Sequence, residues 1–306
     1  MIAEKRVASS PPNASIEFPA PIVSVIIPAY NAEQSLGDQL EAIYRQDFDG
    51  DLEVIVIDNG STDNTASVVR YYQQKMAYLK LVQAPERRNR SYARNEGVKR
   101  SRGSLLLFCD ADDVVREDWV KVMSNALKEH TLVICPAETR LLRDSTENEI
   151  HLNGTSLKEI YLDFLPVAMG CNSGVRRHLF EEAGGFSENF PRNQDVDFSW
   201  RLQLMGHDIH LTRDTVIYYR PRNTYKGVIK QGFEVGMAQV NLYRTFSPLG
   251  MPKSSLKKSL VKFRQIIRGF KKLHRMNRKK REQWLQNTAT QLGRIVGSFR
   301  YKRFYI

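Results

Sequence analysis

The stretch Ser104-Leu-Leu-Leu-Phe-Cys109, followed at once by Asp110-Ala-Asp112-Asp113, constrains this chain more than any other. An unbroken apolar run of this length, bounded by Gly103 and an acidic cluster, predicts a strand buried on both faces. It delivers three carboxylates together at its carboxyl end, the edge at which open α/β sheets bind ligands. Crowded acids raise one another's pKa unless a cation neutralises them. Hard oxygen ligands suit Mg²⁺ or Mn²⁺, ions that usually share their shell with a substrate's phosphates. An isolated Asp-x-Asp is also readable as a solvated acidic loop, with Glu117-Asp118 opening the amphipathic run that follows. The rest of the chain decides between these.

Upstream, strands and helices alternate. Ile22-Val-Ser-Val-Ile-Ile27 predicts a first strand, stopped by Pro28-Ala-Tyr30-Asn31, and residues 33–46 carry Leu36, Leu40, Ile43 and Tyr44 at helical spacing. Leu52–Ile57 predicts a second strand ending at Asp58-Asn-Gly-Ser-Thr-Asp63, where Ser61 or Thr62 can cap a helix reaching about Gln74. Tyr78–Gln83 is a third strand, and Ser91–Arg100 a helix holding Ala93-Arg94-Asn95. This alternation predicts an α/β fold: a mostly parallel, right-handed central sheet with helices on both faces. Past Arg140 the pattern weakens into a polar loop at Arg143–Gly154, a short helix at 155–165 and a small-residue segment at Gly170–Val175. Phe180–Phe186 reads as a helix end with a Gly stop, and Asp195–Met205 as a helix with Gly206 at its C′ position. Two short strands near 208–211 and 215–219 precede a helical region from about Tyr225.

The strand ends at Pro28–Asn31, Asp58–Asp63 and Asp110–Asp113 converge on one crevice. Pro28, Tyr30 and Asn31 are candidate ligand contacts there, and Asp58 can accept hydrogen bonds from a base or ribose. No G-x-G-x-x-G turn follows the first strand, which argues against a nicotinamide or flavin dinucleotide, and no P-loop is present. Phosphate binding therefore falls to metal and cations. Arg94 is one candidate, readable equally as a surface helix arginine. Asp195 sits at a helix mouth, where the positive end of the dipole keeps a carboxylate ionised. It suits a general base taking a proton from a hydroxyl, or a plain N-cap. Trp119 and Trp200 fall at helical positions and read as core. The six histidines show no metal-ligand spacing, and no Ser/His/Asp or Cys/His set stands out.

Taken in order, Pro28-Ala-Tyr-Asn31, Asp58-Asn-Gly-Ser-Thr-Asp63, Ala93-Arg-Asn95, Asp110-Ala-Asp-Asp113, Gly184-Gly-Phe186 and Gln194-Asp-Val-Asp197 resemble glycosyltransferase family 2. The resemblance spans roughly residues 22–220. It implies a GT-A, Rossmann-like nucleotide-diphospho-sugar transferase fold and an inverting single displacement. Asp58 would bind the nucleotide base, Asp110 would contact ribose or metal, Asp112 would hold the metal on the diphosphate, and Asp195 would be the base. The chain departs from the pattern twice. Gln194 replaces the usual acid before the base, and Tyr219 stands where many members carry a histidine near the metal. A nucleotide-sugar-binding protein that has lost catalysis is the alternative those departures leave open.

This resemblance implies a catalytic domain at 21–224, with a nucleotide-binding half at about 21–113 and an acceptor half at about 114–224. A flexible arm at 1–20 precedes it, and a basic helical C-terminal extension at 225–306 follows. The net charge of +12 is uneven: residues 251–306 hold 17 Lys/Arg against the single acid Glu282, or +16. That leaves residues 1–250 at −4, so the chain as a whole does not read as a nucleic-acid binder. Leu256, Leu260, Phe263, Ile267, Phe270 and Leu273 form an apolar stripe between basic residues, and Leu285, Ala289, Leu292, Val296 and Phe299 form a second. Basic amphipathic helices read as binding an anionic membrane surface. They read equally as packing on the body with a basic face outward. Three widely spaced cysteines (Cys109, Cys135, Cys171) read as buried thiols in a reducing compartment. No signal peptide or bilayer-spanning stretch is evident. The expectation is a metal-dependent transferase peripheral at the inner face of the cell membrane. It would move a sugar from a nucleoside-diphosphate sugar to a hydroxyl of a lipid-linked or surface glycan.

Overall fold

The computed structural model describes residues 23–138, 160–220 and 224–306. The N-terminal arm at 1–20 and the polar loop Arg143–Gly154 lie outside the described residues. Strands β1 (Val23–Ala29), β2 (Leu52–Asp58), β3 (Leu79–Gln83) and β4 (Leu105–Cys109) alternate with helices α1 (Leu36–Tyr44), α2 (Thr65–Gln73) and α3 (Arg90–Arg100). After β4 come β5 (Val114–Val115), α4 (Trp119–Glu129), β6 (Leu132–Ile134), β7 (Ala137–Glu138), β8 (Asn172–Arg176), α5 (Arg177–Glu182) and α6 (Gln194–Leu204). Strands β9 (Ile209–Leu211) and β10 (Ile217–Tyr218) precede helices α7 (Tyr225–Phe246), α8 (Leu256–Lys272) and α9 (Arg278–Arg300).

The main sheet runs β3-β2-β1-β4-β8-β6-β9, and a small second sheet runs β5-β10-β7. In the main sheet β1 pairs in parallel with β2 and β4, β2 with β3, and β6 with β9. Every residue of β4 is buried, as the apolar run requires. Its side chains alternate between two cores: Leu105, Leu107 and Cys109 meet α1, α2 and α4, whereas Leu106 and Phe108 meet α3, α5 and α6. Each fully buried aliphatic side chain there contributes roughly 1.5–3 kcal/mol. Trp119 and Trp200 are wholly buried, so both are core.

Three expectations need correction. Gly170–Val175 contains a strand, β8, which pairs antiparallel with both β4 and β6. It shows no apolar period because Leu107 and Leu127 fill the space over Gly174, so its neighbours supply the hydrophobic surface. The described part of 155–165 is a turn closed by a bridge between Tyr161 and Leu165, where Leu162 and Asp163 take positive φ values that a helix forbids. Neither Ser61 nor Thr62 caps α2. The Thr65 amide bonds to Asp63 Oδ1 instead, and the Ser61 hydroxyl accepts from the Asn31 amide.

The C-terminal helices pack by glycine. A Cβ on Gly236 would collide with the backbone of Thr290 and Arg294, and one on Gly293 with that of Phe233. The contacts advance together along both helices, from Gly232 against Ala289 to Val240 against Gly297, so α7 and α9 run parallel at close range. Arg294 is buried in this seam, bonded to Gln239 Oε1 at 2.6 Å and lying over the Tyr305 ring. The predicted stripe on α9 mostly points away from it: Leu292, Val296 and Phe299 are exposed.

Candidate active site

The loops after β1, β2 and β4 are neighbours at the carboxyl edge because their strands are neighbours in the sheet. The first two are stitched together by short polar side chains. Asn31, at φ 48°, donates its amide to Ser61 Oγ at 3.0 Å and accepts from the Thr62 amide at 2.8 Å. Asp63 Oδ2 accepts from the Glu33 amide, while Oδ1 takes the Thr65 amide and hydroxyl. Burial raises the pKa of Asp63, but these bonds outweigh it and hold the carboxyl below its ordinary range. Asp58 is buried at the end of β2 and accepts from the Ser61 amide at 2.9 Å.

A crevice of about 1030 Å³ opens over these loops. Pro28, Tyr30, Asn31, Asp110 and Asp112 line it. Arg94 is 1% exposed and does not face the crevice as a surface arginine would. It donates to Asp110 Oδ1 at 2.8 Å, with its guanidinium over the Phe186 ring. Arg90, which the sequence reading missed, lines the crevice and pairs with the other oxygen of Asp110 at 3.3 Å. The charge of Asp110 raises the pKa of Arg90. Both oxygens of Asp110 are thus held by cations, which fixes its side chain in one orientation.

Asp110, Asp112 and Asp113 each bring a carboxylate oxygen within 4.8 Å of the others. Asp113 is fully buried; its Oδ1 accepts from the Arg220 amide at 3.0 Å. Its Oδ2 has no hydrogen-bond partner among the described residues. Burial, then the charges of Asp110 and Asp112, push the Asp113 carboxyl well above its usual range. A buried carboxylate oxygen without a donor, beside two further acids, fits a hard divalent cation.

Tyr219 packs against the core on the α1 side and its amide donates to the Glu138 carbonyl. The next residue does more. Arg220 bridges Asp38 at 2.9 Å and the Asp112 carbonyl at 3.0 Å, locking the β10 side of the crevice to the acidic loop. The sequence singles out its neighbour Tyr219 and gives Arg220 no signal of its own.

On the far side, α6 sorts its two acids by environment. Asp197 is buried and bound to Arg201 at 2.7 Å. Burial raises its pKa even against that partner. Asp195 is half-buried; Oδ2 accepts from the Gly170 amide at 3.2 Å and Oδ1 from the Val196 amide at 3.0 Å. Each oxygen keeps a lone pair for a further proton. Gln194 lines the crevice next to it. The wall is completed by residues from outside the motifs: Arg192, which pairs with Glu234 of α7 at 2.8 Å, and Lys230, Met237 and Tyr301.

A mostly parallel α/β sheet whose carboxyl edge carries an acidic triad beneath a cation-lined crevice defines the GT-A class of nucleotide-sugar transferase folds. The model of Glycosyl transferase family 2 matches residues 24–184, and the chain belongs to that family: it is a glycosyltransferase. It is 28% identical to glycosyltransferase AglE of Haloferax volcanii over 235 residues, covering 73% of this chain and 74% of the relative. An uncharacterised glycosyltransferase of Haemophilus influenzae is 25% identical, over 76% and 92% of the two chains. In fold the chain is similar to the mannosyltransferase PcManGT of Pyrobaculum calidifontis, solved with GDP-Man and Mn²⁺: TM-score 0.64 at 21% identity, over 93% and 88% of the chains. It is likewise similar to residues 1–349 of Staphylococcus aureus TarS, solved with UDP-GlcNAc, at TM-score 0.55, 19% identity and 93% coverage of each.

Proposed function

We propose that this glycosyltransferase takes a nucleoside-diphosphate sugar as donor and transfers the sugar with inversion to an acceptor hydroxyl. The observation that carries the reading is the acidic triad at the end of β4, of which Asp110 and Asp112 line a crevice together with Arg88, Arg90 and Arg220 and with Gln194, the neighbour of Asp195 on α6. Asp58 and the β1 loop residues Pro28, Tyr30 and Asn31 would hold the nucleoside. A divalent ion, Mg²⁺ or Mn²⁺, would be held by Asp112 and Asp110 with Asp113 beside them, and it supplies Lewis-acid stabilisation of the departing diphosphate. PcManGT, solved with Mn²⁺, supports that assignment. Arg90 and Arg94 pair with Asp110 and orient it, and Arg88 and Arg220 add positive charge around the phosphates. Asp195 takes the proton from the acceptor hydroxyl at a carboxylate oxygen. Its two backbone bonds hold it aimed without using both lone pairs of either oxygen. Asp197, locked to Arg201, is unsuited to that part.

The acceptor half at 114–224 and the extension from 225 would receive a lipid-linked or surface glycan at the cytoplasmic membrane face. The support is α8, where Leu260, Val261, Ile267 and Phe270 are exposed among basic residues. Among the described residues no helix is long and apolar enough to cross a membrane. The exposed apolar and basic surface of α8 supports peripheral attachment to anionic lipid. The test is incubation of the purified chain with Mn²⁺ and a panel of GDP- and UDP-sugars, following nucleoside diphosphate release and the anomeric configuration of the product by NMR. Metal-dependent release with inversion is expected; retention of configuration would overturn the single displacement.

A further inference from the structure

Beside the crevice lies a second cavity, an open groove of about 680 Å³ between α7 and α9. Lys226, Lys230, Phe233 and Met237 reach it from one face of α7, at helical spacings of four, three and four. Ala289 and Leu292 supply the α9 side, and Ile229 stands at the edge, 42% exposed. The lining is apolar side chains plus the methylene stems of two lysines and Glu234. Lys230, Glu234 and Met237 line the groove and the crevice alike, so the two cavities share a wall. At that junction Glu234 sits between Arg192 at 2.8 Å and Lys230 at 3.9 Å. Arg192 belongs to the segment that leads into Gln194 and Asp195. One path therefore runs from hydrocarbon-lined groove, past two cations, to the crevice at α6.

We infer that this groove is the subsite for the hydrocarbon chain of an amphiphilic acceptor, with an anionic phosphate group at Lys230 and Arg192 and the reacting hydroxyl directed toward Asp195. The inference rests on the glycosyltransferase reading above and specifies its acceptor. Continuity with the crevice and the cationic rim select this occupant. A polar glycan would leave the groove's apolar wall in water, and an uncharged lipid would leave the positive charge of Lys226, Lys230 and Arg192 balanced only in part by the single carboxylate of Glu234.

The experiment titrates the full chain with dodecyl phosphate, kept below its micelle concentration, against butyl phosphate. Burying even two extra methylenes predicts that the longer probe binds at least about tenfold more tightly. Ile229→Glu combined with Leu292→Glu places charge at two exposed positions, where the fold tolerates it, and is expected to bring the ratio close to one. Ile229→Leu with Leu292→Met should keep the preference. Lys230→Ala should weaken dodecyl phosphate severalfold while leaving uncharged dodecyl glucoside unaffected. Binding of GDP and UDP with Mn²⁺ is measured on each protein in parallel. A preference for the long chain that is absent in the native protein, or unchanged in the double Glu variant, overturns the groove. So does a native dimer, seen by sedimentation, that the Glu variant splits, because a second copy would then be the occupant. If the native chain prefers dodecyl phosphate but binds no nucleoside diphosphate, the donor-site reading fails while the groove stands.

Discussion

The two walls of the crevice are built by opposite means. The sheet-edge wall is held by polar side chains: Asn31, Asp63 and Asn59 spend their hydrogen bonds on backbone amides and carbonyls of neighbouring loops. The helical wall of α7 and α9 is held by the absence of side chains, since Gly236 and Gly293 let two backbones touch. The first arrangement gives fixed dipoles and charges in fixed places, as phosphate and proton chemistry require. The second gives a close, shape-determined seam beside an apolar groove. A substitution in the first wall should therefore change chemistry with little loss of stability, and one in the second should do the reverse.

The largest expected effect belongs to Asp195→Asn. Loss of a general base lowers turnover by ~10²–10⁴-fold, with donor affinity by calorimetry unchanged and the melting temperature close to native. Near-native turnover would remove Asp195 from the mechanism. Next, Asp112→Ala should abolish the Mn²⁺-dependent part of nucleoside diphosphate binding. Stability without metal should hold or rise, because one of three crowded acids is gone; tight binding retained in Mn²⁺ would show the site misplaced.

The helical wall answers to a different variant. Gly236→Val drives side-chain atoms into the α9 backbone and should cost at least ~1–3 kcal/mol in denaturant unfolding. Gly37→Ala in α1, where a Cβ meets nothing within 4 Å, should instead gain roughly 0.5–1 kcal/mol. Equal effects at the two glycines would show that the α7–α9 seam is loose. Smaller still is the effect of Leu260→Glu with Ile267→Glu on α8. The basic residues near an anionic surface contribute roughly 1 kcal/mol each, so co-sedimentation with anionic vesicles should fall severalfold rather than vanish. Added salt should weaken the native protein's binding, and unfolding should be unchanged. The smallest effect concerns the buried thiols. Burial raises Cys109 and Cys171 well above the usual thiol range and Cys135 to about 12. The folded protein at pH 8 should then react with a thiol reagent only as fast as it unfolds, and a fast-reacting thiol would place one of them at an open surface.

Much of this molecule was legible from its sequence. The buried strand at Leu105–Cys109, the acids it delivers and the helix bearing Asp195 all appear as predicted, because an apolar run and a stop residue describe their own segment. The three cysteines are free and buried, as their apolar settings imply. What was not legible depends on partners distant in the chain. Asn172–Arg176 became a strand only because β4 and β6 lie on either side of it. Arg94 reads as surface or site with equal ease until Asp110 and Phe186 enclose it. Arg220 carries no local signal, and its worth lies in meeting Asp38 and Asp112.

The sequence by itself determined which segments are apolar enough to form the sheet, and which strand ends carry carboxylates. Those properties are set by each residue's own hydrophobicity and charge. The tertiary structure alone decided which arginines clamp Asp110 and which acid of α6 is buried with Arg201. It also decided that α7 and α9 meet through glycines, leaving Leu292, Val296 and Phe299 facing outward. Hydrophobic period predicts that a helix has an apolar side, but not that a backbone contact through glycine will outcompete it for the interior. That contact depends on two helix surfaces matching in shape at once, and neither segment encodes the other's.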